Sequence, residues 1–175
     1  MLTEQQEKWL GHLRDDDHVI IKPYDPSAPR KFEVIREHIQ AILGENVDVR
    51  HCGATSLGIS GQDEMDVYIP VSPVSFNSFV PLLTKLFGEP RSSYPLERVR
   101  FVTLEEGKHI DVFLINKDSE GWTSSVKFEA YLRKNPKALD AYRKLKEEGS
   151  GLSTREYYTR KIEFINKILE LASGL

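Results

Sequence analysis

One segment constrains this chain more than any other: His51-Cys-Gly-Ala-Thr-Ser-Leu-Gly-Ile-Ser-Gly-Gln-Asp-Glu-Met-Asp-Val-Tyr-Ile69, where a Gly/Ser/Thr loop runs straight into an alternating strand. Side chains alternate sides along an extended strand, so Glu64 and Asp66 share one face while Met65 and Val67 share the other. Such a strand belongs in a sheet with one face in a core and two carboxylates on the opposite face. Two anions aimed together call for a cation, and the loop beside them has the composition of a phosphate cradle. A third acid, Asp111, interrupts the apolar run Ile110-Asp-Val-Phe-Leu-Ile115, where a charge requires pairing or coordination. Three carboxylates on neighbouring strands would make a hard-cation site.

The flanking sequence supplies the elements around that strand. Thr3 caps a short first helix carrying Trp9, Leu10 and Leu13, and the β-branched run Val19 to Ile21 reads as a strand ended by Lys22-Pro23. Phe32, Ile35, Ile39, Ile42 and Leu43 form a helical stripe over Arg30–Leu43 that Gly44 ends. Val47 and Val49 alternate with Asp48 and Arg50 as a strand into the glycine loop, and Pro70 is expected to end the strand Met65–Ile69. A helix over Ser75–Phe87 and a loop over Glu89–Pro95 precede a hairpin, Arg98–Leu104 and His109–Ile115, joined by Glu105-Glu-Gly-Lys108. From Gly121 the pattern is helical, with breaks at Asn135-Pro136 and Glu148-Gly-Ser-Gly151, and Ser153 or Thr154 capping the last helix.

The expected fold is therefore α+β: a mixed or antiparallel sheet with helices on one face and a C-terminal helical segment. With 175 residues and 39% apolar content, one domain over 1–175 is expected, divided into an N-terminal helix (1–16), a sheet core (17–118) and a helical tail (119–175). A net charge of −3 from interspersed charges gives no field for a nucleic-acid backbone, so no nucleic-acid partner is expected. The single Cys52 excludes an internal disulfide, and no Cys/His spacing suits zinc. No apolar run approaches the roughly 20 residues of a membrane span, so a cytoplasmic protein without a membrane partner is expected. The first helix would cover the sheet or a second copy in a homodimer.

The single residues have plain readings too. His51 and His109 read as satisfied or exposed histidines rather than ligands. Arg98 and Arg100 read as the wet face of the hairpin, or as partners of Glu64 or Asp111 in a structural salt-bridge set. No Gly-x-x-x-x-Gly-Lys-Ser/Thr motif occurs, which excludes a P-loop kinase.

Several separated motifs, in order along nearly the whole chain, resemble the GrpB family. They are Tyr24-Asp-Pro-Ser-Ala-Pro29, Gly53-Ala-Thr-Ser56 leading to Asp66, Phe128-Glu-Ala-Tyr-Leu-Arg133 with Asn135-Pro136, Tyr142 with Leu145-Lys146, and Tyr157 with Lys161. That family is assigned to the nucleotidyltransferases similar to DNA polymerase beta and is related to the C-terminal domain of some dephospho-CoA kinases. The superfamily signature is a Gly-Ser/Gly turn, a gap of about ten residues, then acidic-hydrophobic-acidic, and Cys52-Gly53-Ala54 and Glu64-Met65-Asp66 stand in those places.

The resemblance implies a nucleoside triphosphate as one partner and a small-molecule acceptor as the other, with a nucleoside monophosphate transferred between them. Glu64, Asp66 and Asp111 would be the catalytic and metal-binding residues, with magnesium or manganese as the cofactor. Gly53, Thr55, Ser56, Arg100 and Lys161 would contact nucleotide and phosphate. Ala54 replaces a hydroxyl-bearing or glycine residue of the signature, and Glu64 is longer than the usual Asp. Those departures leave a second expectation open: a nucleotide-binding or partner-binding module of the same fold without turnover.

Overall fold

A computed structural model describes residues 1–174. The chain forms two compact units interleaved in sequence: a sheet unit of Tyr24–Gly58 and Asp63–Thr123, and a helical unit of Met1–Pro23, Ile59–Gln62 and Ser124 onward.

In the sheet unit, β1 (Arg50–Cys52), β2 (Glu64–Val71), β3 (Ser92–Tyr94), β4 (Arg98–Glu105) and β5 (Lys108–Asn116) lie in the order β1-β2-β5-β4-β3. The β2/β5 pair is parallel and the other pairs are antiparallel, so the sheet is mixed. One face is made by Met65, Val67 and Ile69 of β2, Ile110, Val112 and Leu114 of β5, and Val99 and Phe101 of β4, all buried. Two helices cover that face: α2 (Ala28–Leu43) with Phe32, Ile35 and Ile39, and α4 (Pro73–Phe87) with Phe76 and Leu83, in a single core cluster. Each fully buried aliphatic or aromatic side chain there contributes about 1.5–3 kcal/mol. The expected class, α+β with helices on one face of a mixed sheet, is the observed one.

Five local expectations give way. Pro70 lies inside β2 rather than ending it. The Val71 carbonyl accepts from the Lys117 N–H on the β5 side, so position 70 turns its backbone toward β1. Because β1 reaches only Tyr68, a residue without an N–H loses no bond there. The strand expected over Val47–Arg50 starts only at Arg50, and the loop expected over Glu89–Pro95 contains the edge strand β3. The loop after β1 is wound into a single helical turn, α3 (Gly53–Ser56). Val19–Ile21 joins no strand of the sheet: its neighbours His18 and Lys22 make isolated bridges to Ser153 and Gly61, and Ile20 is 68% exposed.

The hairpin forms where the alternation placed it. Glu105 pairs with Lys108 across a two-residue turn, Glu106-Gly107, with φ of 47° and 76°. Two consecutive left-handed residues make the tight turn that matches strand twist, with the glycine in the second place.

The helical unit contains α1 (Glu4–Gly11), α6 (Pro136–Glu148), α7 (Thr154–Ser173) and most of α5 (Glu120–Lys134). Thr3 and Gln6 close a reciprocal capping box on α1, and the Ser153 hydroxyl accepts from the Glu156 N–H at the start of α7. Within this unit α1 is docked on α7, with Trp9 edge-on to Tyr158 at 5.5 Å and Gln6 hydrogen-bonded to Asn166. Phe128, Tyr142 and Phe164 form an aromatic cluster. Among the described residues no helix is long and apolar enough to cross a membrane.

Candidate functional site

The polar face of the sheet gathers acidic, basic and aromatic residues by strand parity. Since Met65 and Ile110 point into the core, their neighbours Glu64, Asp66, His109 and Asp111 project from the opposite face. The parallel register sets Glu64 beside His109 and Asp66 beside Asp111. Glu64, His109 and Asp111 each offer a ligand atom within 4.8 Å of the others.

Asp111, only 4% exposed, is held from two sides. Arg100 donates through Nε to Oδ1 at 2.8 Å and through Nη2 to Oδ2 at 3.0 Å, and His109 Nε2 lies 3.2 Å from Oδ1. Burial alone would lower the Arg100 pKa, but the hydrogen bonds and charge of Asp111, with the charges of Glu64 and Asp66, hold it above its ordinary value. The charge that stood out inside an apolar run is thus a paired one, and the pairing is bidentate.

On the other side of Asp66 stands α3. Gly53 has φ of 76°, and a Cβ on it would overlap Asp66 Oδ2, so both backbone and space demand glycine there. Thr55, 7% exposed, has Oγ1 2.8 Å from His51 Nε2, and His51 stacks on Phe32 at 5.0 Å. The Ser56 hydroxyl donates to the Gly53 carbonyl at 2.9 Å. The Ser56 hydroxyl therefore bonds within the turn itself, and that of Thr55 ties the turn to β1.

An ion network built on two buried lysines stands where β2 and β5 begin. Lys108 Nζ lies 2.5 Å from Asp63 and 3.6 Å from Asp25, and Lys31 Nζ lies 3.2 Å from Asp25. The Ser27 hydroxyl and N–H donate to Asp25 and, against the opposing effect of burial and with help from Lys31, hold its carboxyl well below the usual range. This network fixes Asp63 to Lys108, and so Glu64 beside His109.

Of the residues picked out in the sequence, Glu64, Asp66, Asp111 and Arg100 converge on one face, and Gly53 meets Asp66. Thr55 and Ser56 brace the turn. Lys161 belongs to α7 in the helical unit, where its Nζ lies 5.2 Å from the centre of the Tyr158 ring. His109, which reads from the sequence as a satisfied or exposed histidine, stands two residues before Asp111 and so joins the same face. Lys31 and Lys108 left no such signal, since nothing in the sequence marks a lysine as buried.

The chain is similar to known proteins. The family described as GrpB protein matches residues 18–171. A curated relative, a UPF0157 protein of Vibrio cholerae serotype O1, is 29% identical over 142 residues, covering 80% of this chain and 73% of its own. The crystal structure of the conserved protein GrpB from Enterococcus faecalis superposes with a TM-score of 0.68 at 23% identity, over 87% of this chain and 96% of that one, which shows a common fold. A Leishmania infantum polymerase beta ternary gap complex gives a TM-score of only 0.39 at 16% identity, over 76% of this chain and 53% of that one.

Proposed function

The chain belongs to the GrpB family, and from that premise we propose that it is a metal-dependent nucleotidyltransferase acting on a small-molecule acceptor. The observation that carries this reading is the in-register pairing of Glu64 and Asp66 with His109 and Asp111 on one sheet face, directly after the glycine turn at α3.

The donor set fits a divalent cation. Glu64, His109 and Asp111 have ligand atoms close enough to share one ion. Each carboxylate oxygen has two lone-pair sites, so Arg100 leaves capacity on Asp111. Glu64, His109 and Asp111 would hold the ion, with Asp66 beside Asp111 as a further donor. When bound, such an ion would neutralise phosphate charge and polarise the α-phosphate. Gly53 brings the turn against Asp66, where backbone N–H groups of a glycine turn can approach phosphate. Thr55 and Ser56 keep that turn in shape through His51 and the Gly53 carbonyl. Arg100 lends positive charge as pyrophosphate leaves and an acceptor hydroxyl or amine takes its place at the α-phosphorus.

Calorimetric titration of ATP, CTP, GTP and UTP, with and without magnesium, tests the reading. One nucleotide is expected to bind in a magnesium-dependent way, and Asp66→Asn should weaken that binding by about 10–100-fold, the scale seen for disturbed metal centres. If all four bind equally well without magnesium, or none binds, the proposal fails. The bidentate hold of Arg100 on Asp111 favours a second reading, a nucleotide-binding module without turnover. Pyrophosphate release over a panel of hydroxyl- and amine-bearing acceptors separates the two.

A further inference from the structure

We propose that Arg98 forms an oxyanion-binding site at the β3 edge of the sheet, taking a phosphate or carboxylate group of a small ligand. Arg98 precedes Arg100 by two residues on β4, so it shares the face of Asp111 and Phe113. It pairs with Ile115 at the far end of the hairpin from the turn, whereas His109 pairs with Leu104 near the turn.

The Arg98 guanidinium carbon lies 5.3 Å from the centre of the Tyr94 ring and 5.7 Å from that of Phe113. Tyr94 faces it across the β3/β4 ladder. Two rings define the plane and position of the cation before any ligand arrives. Among the described residues every arginine except Arg91 and Arg98 pairs with a carboxylate. Arg91 is exposed. Arg98 is different: it is half-buried, and its Nε is sealed from solvent without an acceptor.

A sealed Nε is out of a ligand's reach as well, which leaves the Nη groups as the donors for one. Arg36 also has a sealed Nε, but its guanidinium meets Glu33. A planar cation, clamped by rings and lacking a counter-ion, matches the two-point geometry of an oxyanion, which its Nη groups would hold. Tyr94 is 49% exposed on an edge strand, so the approach to the pair is open. Neither the divalent cation nor Glu64 and Asp66 take part, and the inference stands apart from the nucleotide reading.

The test uses the full chain with chelator present and at low ionic strength, because surface charge pairs are screened by salt. Inorganic phosphate and, separately, acetate are titrated while the Arg98 Nε–H and Tyr94 ring resonances are followed by NMR. A saturable shift is expected with one anion or both, and which anion acts tells a phosphate ligand from a carboxylate one. Arg98→Gln should weaken that binding by at least about tenfold, since the charged fork is lost. Arg98→Lys should fall between the two, and Arg91→Gln should match the unmodified protein. Unmoved Arg98 and Tyr94 resonances up to about 100 mM of either anion, far above any useful affinity, would overturn the proposal. So would equal binding by a folded Arg98→Gln.

Discussion

Gly53 and Asp66 are the two residues whose fates are tied most closely. Ala at position 53 would meet a left-handed backbone, costing about 1–2 kcal/mol, and its methyl would strike Asp66 Oδ2. Gly53→Ala should therefore destabilise the protein by about 2–4 kcal/mol in urea unfolding. Asp66→Gly should recover the part due to the clash, giving a coupling of about 1 kcal/mol or more in a double-mutant cycle. Strictly additive losses would mean that the carboxylate and the glycine do not share that space. At this scale the sequence was partly legible. Parity gave Glu64, Asp66 and Asp111 their common face, and the buried charge at Asp111 announced a partner. Whether the partner was a cation or Arg100 could not be read, because Arg100 stands diagonally across a ladder whose register depends on the turn. His109 carried no signal beyond parity, and Thr55 looked available for phosphate only because its bond to His51 forms when α3 winds up.

Among the elements, the joint between the start of α2 and the starts of β2 and β5 is held by charge. Asp25 has a folded pKa depressed below its ordinary value, chiefly by Ser27 and secondarily by Lys31. A depressed carboxylate contributes stability that is present above its unfolded pKa and is lost as pH falls through the folded value. The stability of the protein should therefore decline below about pH 4, the ordinary range for aspartate, and Asp25→Asn should flatten that decline while lowering stability at neutral pH. Parallel acid limbs in urea midpoints of the two proteins would contradict this. Long periodic elements, α2, α4, β2, β4, β5 and α7, were legible because many residues vote for each. The bounds of the three-residue strand β1, and the strand β3 altogether, were not, since so short a run has no period of its own and is set by its neighbour in the sheet. Val19–Ile21 shows the reverse failure: β-branched residues alone do not recruit a strand when the bonds on offer come from Leu152 and Gly61.

For the molecule as a whole, neither compact unit is a continuous piece of chain. Residues before Tyr24 find their partners far downstream: Trp9 on Tyr158, Val19 on Gly151 and Leu152, His18 on Gly151 and Ser153. A chain cut after Thr123 should thus lose hydrogen-exchange protection across Val19 to Ile21 and α1, and mass spectrometry of those peptides would show exchange approaching that of an unfolded segment. Retained protection there would mean that these residues are held by something other than α7 and the loop before it. No periodicity in the sequence foretold this interleaving, because a four-residue return such as Ile59–Gln62 is too short to carry a pattern.

The hairpin has one further consequence, for the order in which the polar face comes together. Arg100 and Asp111 are 11 residues apart, within one hairpin, whereas Lys108 must find Asp63 across 45 residues. Short loops close sooner than long ones, and hairpins form within microseconds. The bidentate pair is thus expected to exist before β2 arrives, so that Asp111 is already answered when Glu64 and Asp66 are brought up beside it. Nascent chains would then never present three bare acids to one another, and mutations at Arg100 should slow folding while those at Asp63 mainly hasten unfolding.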